Sequence, residues 1–164
     1  MMESAVQTAP RRGILGLSWR QLVALIALGN AFVAAYLHLW KIGKAGALSC
    51  GGSGGCALVQ YSPWSFFFGV DVALIGAVGY TTLFLVAVIG SSERFADARG
   101  VAIAQMALVY AAVLFTMRLK WAEFYMLRSF CPWCAISAVS ITVLAVIVTL
   151  EWRRVRRLDS QVPR

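Results

Sequence analysis

The chain reads as four long apolar runs separated by short polar patches. The first run, QLVALIALGNAFVAAYLHLW, occupies 21–40 between Arg20 and Lys41. The second covers 70–90 and closes on the polar stretch 91–99. The third covers 100–117 and ends at Arg118 and Lys120. The fourth covers 130–150 and stops at Glu151, just before Arg153, Arg154, Arg156 and Arg157. A helix needs about 20 mostly apolar residues to cross the hydrocarbon core of a bilayer, so each run predicts one membrane-spanning helix. Small residues recur inside the runs, among them Gly29, Ala34, Gly76, Gly79, Ala107, Ala111 and Ala138. Helices in lipid associate at such positions because their backbones can approach closely. The fold class expected is therefore an all-α membrane protein, a four-transmembrane-helix bundle with a cysteine-bearing outer loop.

Composition agrees with that pattern. Of 164 residues 60% are hydrophobic and only 13% charged, where a soluble domain has about a quarter of its residues charged. The net charge of +8 raises a nucleic-acid reading, but the basic residues lie in patches that flank apolar runs, as arginines do at membrane surfaces. No nucleic-acid partner is expected; the lipid bilayer is. The opening residues are polar and basic, and the run that follows is too long for a signal-peptide core. The predicted organisation is a disordered cytoplasmic tail over 1–20, a membrane domain over 21–152 and a basic cytoplasmic tail over 153–164. Four spans place both termini on one side. Arg11, Arg12, Arg20, Arg94, Arg99, Arg153, Arg154, Arg156, Arg157 and Arg164 lie on the terminal side. Only Lys41, Lys44, Arg118, Lys120 and Arg128 lie on the other. Positive charge marks the cytoplasmic face, so both termini are expected there.

This topology brings all four cysteines to the outer face. Cys50 and Cys56 fall in S-C-G-G-S-G-G-C after the first span, and Cys131 and Cys134 form C-P-W-C where the fourth begins. Pro132 suits the first turn of a helix, which puts Cys131 and Cys134 on one helix face. The N–H groups and dipole at a helix N-terminus favour a thiolate, the reactive form of cysteine. The glycines between Cys50 and Cys56 let that loop bring the two sulfurs together or swing one towards another disulfide. Exchange chemistry, a static disulfide, apolar filling of the helix by the C-x-x-C pair and a four-cysteine zinc site all remain open on these residues. The five-residue glycine spacer lies outside the two-to-four spacing of structural zinc, and no metal is expected.

These residues resemble the vitamin K epoxide reductase (VKOR) family in its bacterial form. The resemblance rests on Cys50 and Cys56, on Ser62, on FFGVDVALIGAVGY over 67–80 and on Cys131-Pro-Trp-Cys134. It implies a quinone-linked thiol–disulfide oxidoreductase of the bacterial cytoplasmic membrane. In its relay Cys50 accepts electrons from a thioredoxin-like (DsbA-like) partner, Cys56 attacks Cys131, and Cys134 hands the electrons to a quinone. The chain ends at Arg164 without a fused thioredoxin-like domain, so a separate partner protein is expected. Ala138 stands where vertebrate members carry a tyrosine, which points to menaquinone or ubiquinone rather than vitamin K epoxide. The competing reading is a non-enzymatic membrane scaffold with two structural disulfides.

Further residues can be weighed on their own chemistry. Asp71 is a carboxylate at a membrane boundary, where such groups serve function by default or start a helix; relatives usually have proline there. Ser62 before Pro63 reads as a helix cap, and the resemblance adds an active-site role. Phe67 and Tyr80 are candidates for the quinone pocket beside Asp71 and Cys134. Tyr80 and Tyr110 otherwise read as bundle core. Trp64, Phe66, Phe68, Trp121, Phe124 and Tyr125 read as an interfacial belt or pocket wall. His38 reads as interfacial packing, and Glu123 with Arg118 and Lys120 as a solvated loop.

Overall fold

The computed structural model describes residues 17–48, 50, 55–95 and 98–160. The expected N-terminal tail lies outside the described residues up to residue 16, as does 161–164 of the C-terminal one. Ser18 opens helix α1 (Trp19–Lys41) with a capping box, its Oγ accepting from the Gln21 N–H while Gln21 accepts from the Ser18 N–H. The remaining elements are the short helix α2 (Gly55–Gln60), a two-stranded hairpin of β1 (Phe66–Phe67) and β2 (Val70–Asp71), and the long helices α3 (Val72–Gly90), α4 (Arg99–Trp121) and α5 (Pro132–Asp159).

Among the described residues, four helices, starting at Trp19, Val72, Arg99 and Pro132, are long and apolar enough to cross a membrane. They pack in a ring in which α1 meets α3 and α5, and α4 meets α3 and α5. Val23, Ala27, Leu83, Val109, Ile141 and Leu144 fill the centre. Phe32, Leu114 and Val139 are about two-thirds exposed, which in water would be costly and in lipid is the natural outer face.

Two details depart from the predicted spans. The second span starts at Val72, because 66–71 turns back on itself through Phe68 (φ 51°) and Gly69 (φ 79°). Two successive positive φ values match the tight turn that the right-handed twist of a hairpin prefers. The last helix runs on to Asp159, so the arginines expected in a tail continue α5 for two more turns. Glu151, just before them, is buried in an ion pair with Arg20. Arg20 also donates to the carbonyls of Gly90 (2.6 Å) and Phe95 (2.7 Å), tying α1, α3 and α5 together at the end remote from the cysteines.

Candidate functional site

The described cysteines gather at one end of the bundle. Cys50 and Cys56 are joined in a disulfide with Cα atoms 6.0 Å apart, and Cys131 and Cys134 are free thiols. The intervening residues 51–54 lie outside the described residues. What brings the pairs together is Gly55. A Cβ at that position would stand 2.6 Å from the Phe130 carbonyl oxygen and 2.8 Å from Ser129 Oγ. Thus the residue before Cys56 is packed directly on the residue before Cys131. Cys56 and Cys131 are both fully buried. From the same helix α2, Gln60 Nε2 points at Cys134 Sγ across 3.7 Å.

Cys131 occupies the N-cap position of α5, with Pro132 at the first helical position. Its Sγ accepts the Cys134 N–H at 3.4 Å, the amide that a cap side chain ordinarily satisfies. Its own N–H donates to Glu123 Oε1 at 2.7 Å. The Cys131 thiol is lowered from 9.0 to about 7, chiefly by the hydrogen bond from the Cys134 thiol. Burial opposes this, the Cys134 amide helps, and the nearby charges of Glu123 and Lys120 act in opposite directions.

Glu123 corrects the sequence reading. It was expected in a solvated loop, yet it is only 2% exposed. A π-helical turn over Ala122–Met126 prolongs α4, and its extra residue per turn carries Glu123 inward, as such turns do at functional sites. The segment is then stapled by Leu127 N–H to Ala122 O (2.9 Å) and Ser129 N–H to Glu123 O (3.3 Å). Glu123 Oε2 accepts from Lys120 Nζ at 2.6 Å. The signal in the sequence was an acid eight residues before the first cysteine of C-x-x-C, meaningful only once the turn geometry is known.

Cys134 lines an apolar cavity of about 430 Å³ between the helices. Leu37, Ile75, Leu83, Leu108 and Phe115 supply much of its wall. Polar atoms are few. Tyr80 Oη and Ser137 Oγ share a hydrogen bond of 2.8 Å one turn beyond Cys134. Asn30 reaches the cavity with its Nδ2 on Ile26 O (2.9 Å) and its Oδ1 buried without a partner. Gln60, Lys120 and Glu123 complete the polar lining near the cysteines, with Ser62.

Of the predicted site residues, Ser62, Phe67, Tyr80 and Cys134 therefore share one cavity wall. Ser62 precedes the 3₁₀ turn Pro63–Ser65, as expected of a cap, but its hydroxyl makes no cap bond. It donates instead to Val59 O at 2.8 Å, holding the end of α2. Phe67 packs edge-on against Phe115 (5.4 Å between centroids) under the Arg118 guanidinium. Tyr110 bonds Thr149 on the outer surface (2.9 Å) and stands outside the cavity lining.

Asp71 takes a different place. It caps α3 through the Ala73 N–H (3.2 Å), receives Lys41 Nζ on Oδ1 (2.7 Å) and faces His38 Nδ1 from Oδ2 (2.7 Å). Lys41 also donates to Ser65 Oγ (2.8 Å). Burial pushes the Asp71 carboxyl up, but the hydrogen bonds from Lys41 and His38 outweigh it and hold the group below 3.8. Both oxygens are thus engaged, and Asp71 is absent from the cavity lining. His38, expected as packing, is the second partner of this clamp, which binds α1, the hairpin and α3.

Residues 20–149 match the family model described as the Vitamin K epoxide reductase family.

Proposed function

The chain belongs to the Vitamin K epoxide reductase family, a family of thiol–disulfide oxidoreductases, and from that premise we propose that it oxidises a separate thioredoxin-like (DsbA-like) protein and passes the electrons to a membrane quinone. The observation that carries this reading is the gathering of both cysteine pairs at one bundle end: the residue before the disulfide-bonded Cys56 packs on the residue before Cys131, and Cys134 lines an apolar cavity.

The cavity suits a quinone ring. Its wall is predominantly apolar, as a flat hydrophobic ring requires, and its polar atoms are of the right kinds. Tyr80 and Ser137 share one hydrogen bond, and whichever hydroxyl accepts within that pair keeps its own proton free to donate to a carbonyl oxygen. When bound, the quinone supplies a two-electron, two-proton acceptor; menaquinone or ubiquinone fits this role.

The protein's own groups then act in order. A partner thiolate attacks Cys50 Sγ, the Cys50–Cys56 bond breaks, and Cys56 leaves as a thiolate. The partner's second thiol attacks the mixed disulfide and frees Cys50, so the partner leaves oxidised. Cys56 attacks Cys131 Sγ in the Cys131–Cys134 disulfide, and Cys134 is released as a thiolate facing the cavity. Cys50 resolves the Cys56–Cys131 bond, restoring the loop disulfide and leaving the C-x-x-C pair reduced. That is the arrangement of bonds described above. With a quinone held in the cavity as acceptor, the Cys131 thiolate, stabilised at the helix N-terminus, would close on Cys134 Sγ, and the two electrons and two protons of the dithiol would pass to the quinone.

Each exchange is ordinary thiol–disulfide chemistry whose direction follows relative potentials. In a bilayer the cysteine end would face the outer compartment and both termini the cytoplasm, so the activity would serve disulfide formation in exported proteins. The test is quinone reduction by purified protein with a reduced thioredoxin-like donor, for wild type and Cys134→Ala. Turnover is expected only in the wild type. Equal turnover in the variant would overturn the assignment, and no turnover in either would favour the scaffold reading.

A further inference from the structure

The ion pair between Lys120 and the buried Glu123 has no part in the relay. Its placement gives it one. Glu123 Oε1 holds the Cys131 N–H at 2.7 Å, its Oε2 holds Lys120 Nζ at 2.6 Å, and both residues line the cavity that Cys134 faces. Glu123 is 2% exposed. A carboxylate is withdrawn from water at such a cost that removing its partner is strongly destabilising. A neutral acceptor would have satisfied the Cys131 amide without that cost. A charge pair at this point does something an amide cannot: it places one positive and one negative charge against the reacting sulfurs.

We propose that Lys120 and Glu123 are a positioning pair that sets the acidity and redox balance of the Cys131–Cys134 dithiol. Lys120 favours the thiolate and so the reduced pair. Glu123 anchors Lys120 and the first turn of α5, and limits how far the thiolate is favoured. The reaction being tuned is closure of the dithiol, in which the S–S bond forms, two thiol protons are released and two electrons pass to the quinone. Too strong a thiolate bias would hold electrons on the cysteines; too weak a bias would stop the loop pair from delivering them. The other charged groups at this end have other partners or face outward. Arg118 stacks on Trp64 and Phe67, Lys41 and His38 hold Asp71, and Arg128 is exposed.

The inference rests on the quinone reading for its purpose, but its test does not. The reduced protein is treated with iodoacetamide across a pH series without quinone, and modification of Cys131 and Cys134 is followed by mass spectrometry. Glu123→Gln keeps an acceptor for the Cys131 amide and removes the negative charge. The midpoint of alkylation should move down by about one unit, the scale of a neighbouring charge. Titration against glutathione should show the reduced pair stabilised. Lys120→Met should move the midpoint up; because it strands a buried carboxylate, the double variant Lys120→Met/Glu123→Gln is measured beside it. That variant should lie between the two single ones. A purely structural Glu123 predicts a wild-type midpoint and potential in Glu123→Gln, and that result would overturn the proposal. Shifted midpoints without quinone turnover in the wild type would instead remove the function and leave this inference standing.

Discussion

Gly55→Ala is the most discriminating single substitution, because it perturbs the contact between the cysteine pairs without touching a sulfur. The added methyl would stand 2.6 Å from the Phe130 carbonyl oxygen and 2.8 Å from Ser129 Oγ. A comfortable carbon–oxygen contact is about 3.3 Å, so helix α2 and the 129–130 backbone must separate by roughly 0.7 Å. The carbonyl belongs to backbone and cannot rotate away as a side chain would. Such overpacking costs about 1–3 kcal/mol, which a bundle held by four long helices tolerates. The kinetic effect is larger, because a misplacement near 1 Å at a reacting centre can cost on the order of a hundredfold. Two assays separate the terms. Quinone reduction driven by a reduced thioredoxin-like protein must pass from Cys56 to Cys131, and should fall by about ten- to a hundredfold. Quinone reduction driven by dithiothreitol in a Cys50→Ala/Cys56→Ala background bypasses that step, and should change by less than about twofold when Gly55→Ala is added. If the protein-driven rate stays at the wild-type level, Gly55 does not set the approach of the two pairs.

Three other outcomes follow from the same structure. Asp71→Asn should lower stability by about 3 kcal/mol, since Lys41, its side chain 4% exposed, loses its counter-charge, and thermal unfolding in detergent reads this directly. Because the Asp71 carboxyl is held below 3.8, its contribution is complete above that pH and is lost as pH falls through the folded value; the acid-side decline in wild-type stability should therefore be smaller in Asp71→Asn. The Tyr80→Phe/Ser137→Ala pair should raise the KM for quinone about tenfold with little change in kcat, the size of one or two lost hydrogen bonds, and an unchanged KM would place the ring elsewhere. The Cys131 thiol, lowered to about 7, should make dithiol-dependent quinone reduction rise with pH through that region, since the thiolate is the reactive form; a rate flat between pH 6 and about 8 would contradict it.

How much of this was legible beforehand follows from the range of the interactions involved. Apolar run length is a local property, so the four spans and the all-α bundle could be read directly from the chain. The C-x-x-C helix start was legible for the same reason, since Pro132 and the two cysteines are contiguous. The pairing of the loop with that helix start, by contrast, depends on a backbone contact between Gly55 and Phe130, separated by a whole pair of spans. Glycine there looked like loop freedom and proved to be a close approach. Asp71 looked equally able to serve a ligand or a helix start; only the positions of Lys41 and His38 on another helix commit both oxygens.

Glu123 is the clearest case of what only the tertiary structure decided. Flanked by Lys120 and aromatic residues at a membrane edge, it has the local composition of a solvated loop, and nothing in that stretch announces a π-helical turn. The turn rotates Glu123 into the bundle, where the unsatisfied Cys131 amide and Lys120 await it. Likewise Tyr80 and Cys134 were expected in one pocket, but only the packing brought Ser137 to the Tyr80 hydroxyl. Hydrophobic period and length are set by neighbours along the chain and determined the fold; the cavity and its few polar atoms arise where four helices meet, and were decided only by their packing.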